Sequence, residues 1–135
     1  MFKFVCAVTL MAASVASADV WSFETPSQNI QCVVGEGFES SDLTCTIIER
    51  YGPPAAPRPS GCSADWGHVF FMKDRGPVYM QCAPLNNHKG AQHRAEYGIT
   101  GEFGGFVCHS STKGLECRNQ DGHGFFLSRA QQTVF

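Results

Sequence analysis

Charge is scarce in this chain. Only 16% of its 135 residues are Asp, Glu, Lys or Arg, and the formal net charge is −2. That balance excludes a protein that holds nucleic acid through a basic field. Disorder is excluded as well, because aromatics make up 12% and the net charge is small. Helical pattern is also scarce. No segment beyond the N-terminus repeats apolar residues at helical spacing over a convincing length, and 14 glycines, 7 prolines and 11 phenylalanines are foreign to a coiled coil. No C-x-x-C spacing occurs, so neither a zinc ribbon nor a thioredoxin-type motif has support. Beyond residue 18 no apolar run approaches the roughly 20 residues of a spanning helix, so no membrane span is expected in the remaining chain.

What is present begins with an export signature. Lys3 supplies a positive start, Phe4 to Val15 is apolar or small, and Ala16-Ser17-Ala18 fits the small-residue rule for signal peptidase. Residues 1–18 therefore read as a cleaved signal peptide, and residues 19–135 as a single disulfide-rich β-domain in the periplasm or outside the cell. A buried N-terminal helix is the alternative, but the segment lacks a helix C-cap. Cys6 lies inside the apolar stretch rather than after it, which argues against lipidation.

Cleavage leaves six of the seven cysteines: Cys32, Cys45, Cys62, Cys82, Cys108 and Cys117. An even count in an exported chain reads as a disulfide framework. Six cysteines allow fifteen pairings, and spacing alone does not choose among them. The strand pattern biases the choice. Ile30, Cys32 and Val34 share one face of a strand, and Leu43, Cys45 and Ile47 share one face of another. If Val34 faces Leu43 across a hairpin, Cys32 faces Cys45. A second hairpin runs through His68–Lys73 and Pro77–Cys82, turning at Asp74-Arg75-Gly76. A third runs through Phe106–Ser110 and Leu115–Asn119, with Cys108 and Cys117 at corresponding inward positions. The pairs favoured are Cys32–Cys45, Cys62–Cys82 and Cys108–Cys117. Each short closed loop stabilises by about 3 kcal/mol in the chain-entropy treatment. The first and third hairpins form a weak internal repeat.

Four of the seven prolines fall in Gly52–Gly61. Proline fixes φ and cannot donate to a ladder, so this reads as an extended surface connection. A docking segment for an aromatic groove is the sharper alternative. Residues 84–97 are irregular, and Ala91–Tyr97 suits one helical turn or a short strand. The expected core holds Phe23, Ile30, Val69, Phe71, Val78, Phe106 and Leu127. The class is all-β, a small disulfide-stapled antiparallel barrel or two-sheet sandwich built from hairpins.

Several longer motifs stand out: Phe23-x-Thr-Pro-Ser-x-Asn-Ile-x-Cys32, Cys62-x-x-Asp-Trp-Gly67, Tyr97-Gly98, Phe106-x-Cys-x-Ser110, Gly114-x-x-Cys-Arg-Asn119 and Gly122-His-Gly-Phe-x-Leu-Ser-Arg129. Together they resemble those of a family of secreted bacterial proteins of unknown function. The resemblance spans nearly all of residues 19–135 and implies a bacterial exported origin without an activity. Relatives usually carry Gly where Gln28 stands. Many carry Gly-Asp-Thr where this chain has Ala83-Pro84-Leu85, which puts any role of that acidic loop in doubt here.

Candidate binding residues are Trp66, Arg118, Asn119, His123 and Arg129. Asp121, His123 and Ser128 together invite a hydrolase reading. Leu127-Ser128-Arg129 lacks the glycines of a nucleophile elbow, however, and His123 between two glycines suits a tight turn. No catalytic residue, metal ligand or cofactor is assigned. His88 and His93 lack the i, i+4 spacing of a helical metal pair. Trp66 is either a stacking platform or a core anchor beside Cys62. Arg129, inside an apolar closing segment, needs a partner if buried, or marks an anion site if left open in a cleft. The leading expectation is a non-enzymatic binding module for an envelope component or protein partner. The rivals are a small hydrolase using His123 with Ser128 or Asp121, and an inhibitor of a secreted enzyme acting through loop 35–42 or 84–94. Non-reducing peptide mapping of the secreted protein should return an N-terminus at Asp19, the three hairpin-local bridges and no free thiol.

Overall fold

The computed structural model describes residues 19–37, 39–87 and 89–135; the expected signal peptide and His88 lie outside them. Among the described residues the regular elements are strands, arranged in two sheets. The first holds β1 (Asp19–Glu24), β2 (Ile30–Glu36), β3 (Ser41–Ile47), β4 (Val69–Lys73), β5 (Tyr79–Gln81) and β6 (His93–Arg94), in the order β5-β4-β3-β2-β1-β6. The second holds β7 (Thr100–Phe103), β8 (Phe106–Ser111), β9 (Gly114–Arg118), β10 (Gly124–Leu127) and β11 (Gln132–Val134), in the order β11-β10-β9-β8-β7. All pairs are antiparallel except β1 with β6.

This is a sandwich, and the barrel alternative is corrected. After β6 the chain starts a new sheet at β7 rather than closing the first, so each sheet keeps two edges.

Register follows the sequence pattern. Val34 lies opposite Leu43 and Cys32 opposite Cys45, with Cα atoms 4.1 Å apart across the Cys32–Cys45 bridge. Cys108 and Cys117 are opposed in the same way. The third bridge, Cys62–Cys82, ties the end of the proline-rich segment to the residue after β5.

Alternate residues of each strand turn inward, and Phe23, Val34, Leu43, Ile47, Leu115 and Leu127 are fully buried. One core expectation fails. Phe70, not Phe71, is the buried residue of β4. Phe70 lies opposite Cys45, so it shares the inner face and Phe71 must point outward, where it is half-buried. Val78 is also only half-buried, packed against the core.

Aromatic rings join the sheets. Phe23 of β1 stacks on Phe103 of β7 with centroids 4.2 Å apart, and Phe70 of β4 meets Phe125 of β10 at 5.7 Å. The β7–β8 connection is the pair Gly104-Gly105, with φ of 62° and 89°. A two-residue hairpin turn of that hand requires both residues in the left-handed region, which glycine alone adopts freely.

The irregular segment 84–97 yields the short strand β6, not a helical turn, because Ala95 N–H donates to the Glu24 carbonyl and continues the parallel pairing with β1. Its preceding residues are tied to the outer face of the first sheet. Gln31 donates to Asn87, and Ser22 and Gln92 exchange two bonds. The proline-rich segment is likewise pinned: Trp66 Nε1 donates to the Ala56 carbonyl and Ala55 N–H to Gln132.

Phe23→Ala removes a fully buried ring from the seam between the sheets. Urea unfolding is expected to show a loss of about 3–5 kcal/mol.

Candidate functional site

The ends of the sandwich differ. At one end lie the β2–β3, β4–β5, β7–β8 and β9–β10 turns, and they are laced to one another. Ser41 Oγ donates to Gly104 O at 3.0 Å, and Asp74 N–H donates to Ser41 O at 2.9 Å. Asn119 is the centre of this clasp. It is 7% exposed, and its amide donates to the carbonyls of Lys73 and Gly76 in the first sheet. Its Oδ1 accepts from Asp121 N–H and His123 N–H in its own turn. Gly76 N–H donates to the Asp121 carboxylate at 2.7 Å, and Arg75 pairs with the same carboxylate at 3.4 Å. The Asn119–Gly124 motif thus joins the sheets, with every side-chain polar atom of Asn119 used in doing so.

The other end is open. A cleft of about 280 Å³ lies there, lined from five separate segments. The β1–β2 turn brings Thr25, Ser27 and Asn29. The start of the β3–β4 connection brings Tyr51, and the β6–β7 connection brings Tyr97. The β8–β9 turn brings Lys113 and the β10–β11 turn brings Arg129.

Each lining segment is fixed by its backbone. Tyr51 N–H and Gly52 N–H both donate to the Arg129 carbonyl, at 2.9 and 3.0 Å. That close approach requires glycine at 52, since a Cβ there would run into the Ala130 carbonyl. Gly98 N–H donates to Ser110 O at 2.7 Å, which sets Tyr97. Ser128 caps the β10–β11 turn: its Oγ donates to Gln131 O and accepts from Gln131 N–H. Asn29 exchanges two bonds with Glu49. Beside it Gln28 holds a left-handed φ of 61°, a conformation that favours glycine. Gln28 Nε2 donates to Glu24, which gives the non-glycine residue a partner.

The side-chain tips are less engaged than the backbones. Tyr51 is 80% exposed and Tyr97 41% exposed. Arg129 makes one long contact, 3.7 Å to the 76%-exposed Glu49. An exposed pair of that geometry contributes little. Lys113 makes no ion pair among the described residues. The lining holds two cations and no carboxylate, in a chain of net charge −2.

Of the residues named from sequence, Arg129 and Ser128 line this cleft, and Trp66, Arg118, Asn119, Asp121 and His123 do not. Arg129 sits in the β10–β11 turn and is half-exposed, not inside a closing strand as expected. Trp66 is 7% exposed and anchors the proline-rich segment. Arg118 pairs with Glu116 at 2.9 Å and lies over the Phe135 ring at 4.5 Å. His123 and Ser128 flank β10 at opposite ends, about 15 Å apart along the strand, so they form no dyad. Of the loops offered for inhibition, half of 35–42 belongs to β2 and β3, leaving a turn closed by Gly37 N–H to Ser40 O. In segment 84–94, Asn87 and Gln92 are tied to the first sheet. His68 donates through Nδ1 to Ile47 O, and His109 meets Thr100 Oγ1, each alone.

Sequence reasoning did not single out Tyr51 or Lys113. Tyr97 and Ser27 stood inside motifs without an assigned role, and the signal that links them is their common end of the sandwich.

Comparison with known proteins places the chain. Residues 4–135 match a family of unknown function. The protein belongs to DUF6636. Neither the curated proteins nor the solved structures gave a match. The DUF6636 assignment spans both sheets, and so includes both the clasp and the cleft.

The two ends predict different responses to mutation. Asn119→Ala strips four half-buried bonds from the clasp and should cost about 3 kcal/mol in chemical unfolding. Arg129→Ala should change stability by no more than about 0.5 kcal/mol in the same measurement.

Proposed function

We propose that this DUF6636 protein is an exported, disulfide-bonded binding module of the bacterial envelope, and that its ligand seat is the end cleft. The observation that carries this reading is the convergence of Tyr51, Tyr97, Lys113 and Arg129 on one cleft from backbones that are tied, with tips engaged only by the long Arg129–Glu49 contact. Preorganised backbone with exposed polar and aromatic tips is what low-cost recognition needs. Export is supported by the signal-like segment 1–18 and by three disulfides, which persist in oxidising compartments. Among the described residues no helix is long and apolar enough to cross a membrane. A binding role rather than turnover is supported by the chemistry of the cleft: Ser128 is committed to its own turn, and no histidine or carboxylate lines the site as a base.

The test is a thermal-shift screen of the purified, disulfide-bonded protein against glycans, peptidoglycan fragments, small anions, metal ions and short peptides. Each hit is followed by mass analysis of the compound. A stabilising ligand should lose its effect with Tyr97→Ala or Lys113→Ala and be recovered unchanged. Hits that ignore both variants, or that come back cleaved, would overturn the reading.

A further inference from the structure

We infer that the ligand of the end cleft is a single sugar ring bearing an acid group, a carboxylate or a phosphate ester. This rests on the binding reading above and specifies its chemistry.

The sign of the site comes first. Lys113 and Arg129 enter the cleft, and no Asp or Glu lines it. Lys113 has no ion pair among the described residues, and Arg129 holds only the long contact to exposed Glu49. An incoming anion can take up the guanidinium without breaking a buried pair. Guanidinium binds carboxylate and phosphate through two parallel N–H donors, while the ammonium adds a point charge. A metal ion would meet two cations here and no hard anionic ligand, which excludes it.

The rings come second. Tyr51 and Tyr97 are 80% and 41% exposed. A phenol ring has an apolar face and a polar tip, which matches a pyranose with its C–H face and rim of hydroxyls. Small hydroxyl residues complete the lining. Thr25, 3% exposed, is spent on Ser27 and Ile30 within its own turn, whereas Ser27 and Thr112, the latter beside Lys113, are exposed. Such groups suit sugar hydroxyls, whereas an apolar ligand would strip them of water without return.

Size comes third. At about 280 Å³ the cleft falls at the lower edge of small-molecule sites. It accommodates one ring and its acid group, and is small for a base, sugar and phosphate together.

The experiment is a ¹H–¹⁵N titration of the purified, disulfide-bonded protein with glucuronic acid, glucose 6-phosphate, glucose, inorganic phosphate and adenosine 5′-monophosphate. The carboxylate and phosphate sugars separate the two sources of the anion. At least one should move resonances of residues 25, 27–30, 51, 97, 111–114 and 128–130, and bind about tenfold or more tighter than glucose and than inorganic phosphate. Arg129→Ala should cost that sugar about tenfold and leave glucose unchanged. Tyr97→Ala should bring the acid sugar down towards inorganic phosphate. Equal binding of glucose and its acid derivatives would overturn the charge assignment. Equal binding of inorganic phosphate would overturn the sugar, and tighter binding of the nucleotide would overturn the single ring. Should none of the five probes move the cleft while a hit from the screen does, the ligand class falls and the binding reading stands. If neither probes nor screen move the cleft, both fall.

Discussion

Two sheets that share no ladder must be held by the layer between them, and in this protein that layer depends on strand register. Cys32–Cys45 and Cys108–Cys117 each lock a pair of directly opposed residues within one sheet. A slip of one residue along β2 or β8 would turn each cysteine, and every apolar residue in phase with it, towards solvent. The bridges are buried in the inner layer beside Phe70, Phe106 and Phe125, so they belong to the core as well as stapling it. Register in turn decides which rings meet across the sheets. Phe23 reaches Phe103 only because β1 places Ser22 and Glu24 on the opposite face.

Fixed register also fixes where the turns fall. In antiparallel pairs successive turns alternate between the two ends, so residues distant in sequence gather at each. One gathering is spent on the fold. The carboxamide of Asn119 answers two carbonyls and two N–H groups that the turns would otherwise leave unpaired. The other gathering is satisfied at the backbone by Arg129 O, Ser128 Oγ and Asn29, which leaves its longer side chains without structural duty. Exposed cation and aromatic tips on tied backbones are what the proposed binding role draws on.

The legible parts of the fold were those where a face could be read from one residue type. Cysteine flanked by alternating apolar residues announced β2, β3, β8 and β9, and the pairing that follows from them. The phase of β4 was not legible, because Val69–Met72 is apolar at every position and only contact with Cys45 selects Phe70. Strands β6 and β7 were not legible either. The first is two residues long and owes its pairing to β1, while the second carries two polar residues and a glycine in four positions. The site was harder still. Asp121, His123 and Ser128 look like a set because they are close in sequence, yet a strand keeps His123 and Ser128 apart. Tyr51, Tyr97 and Lys113 look unrelated because they are far apart, yet strand alternation brings them together.

Arg129 shows why sequence posed the right question with the wrong context. In an apolar segment such as Phe125–Leu127 followed by Ser-Arg, a cation either finds a buried partner or is held open to an anion. The β10–β11 turn takes Arg129 out of the strand, so the first outcome does not arise. Its carbonyl then receives Tyr51 and Gly52 N–H groups, which fixes the backbone from which the guanidinium projects. A flexible cation loses side-chain and loop freedom when it binds, and that loss weakens small ligands most. Here the loop part is already lost on folding. On the proposed reading, tying the main chain while leaving the tip half-exposed lets a small cleft hold a small anion without a further loss of loop freedom.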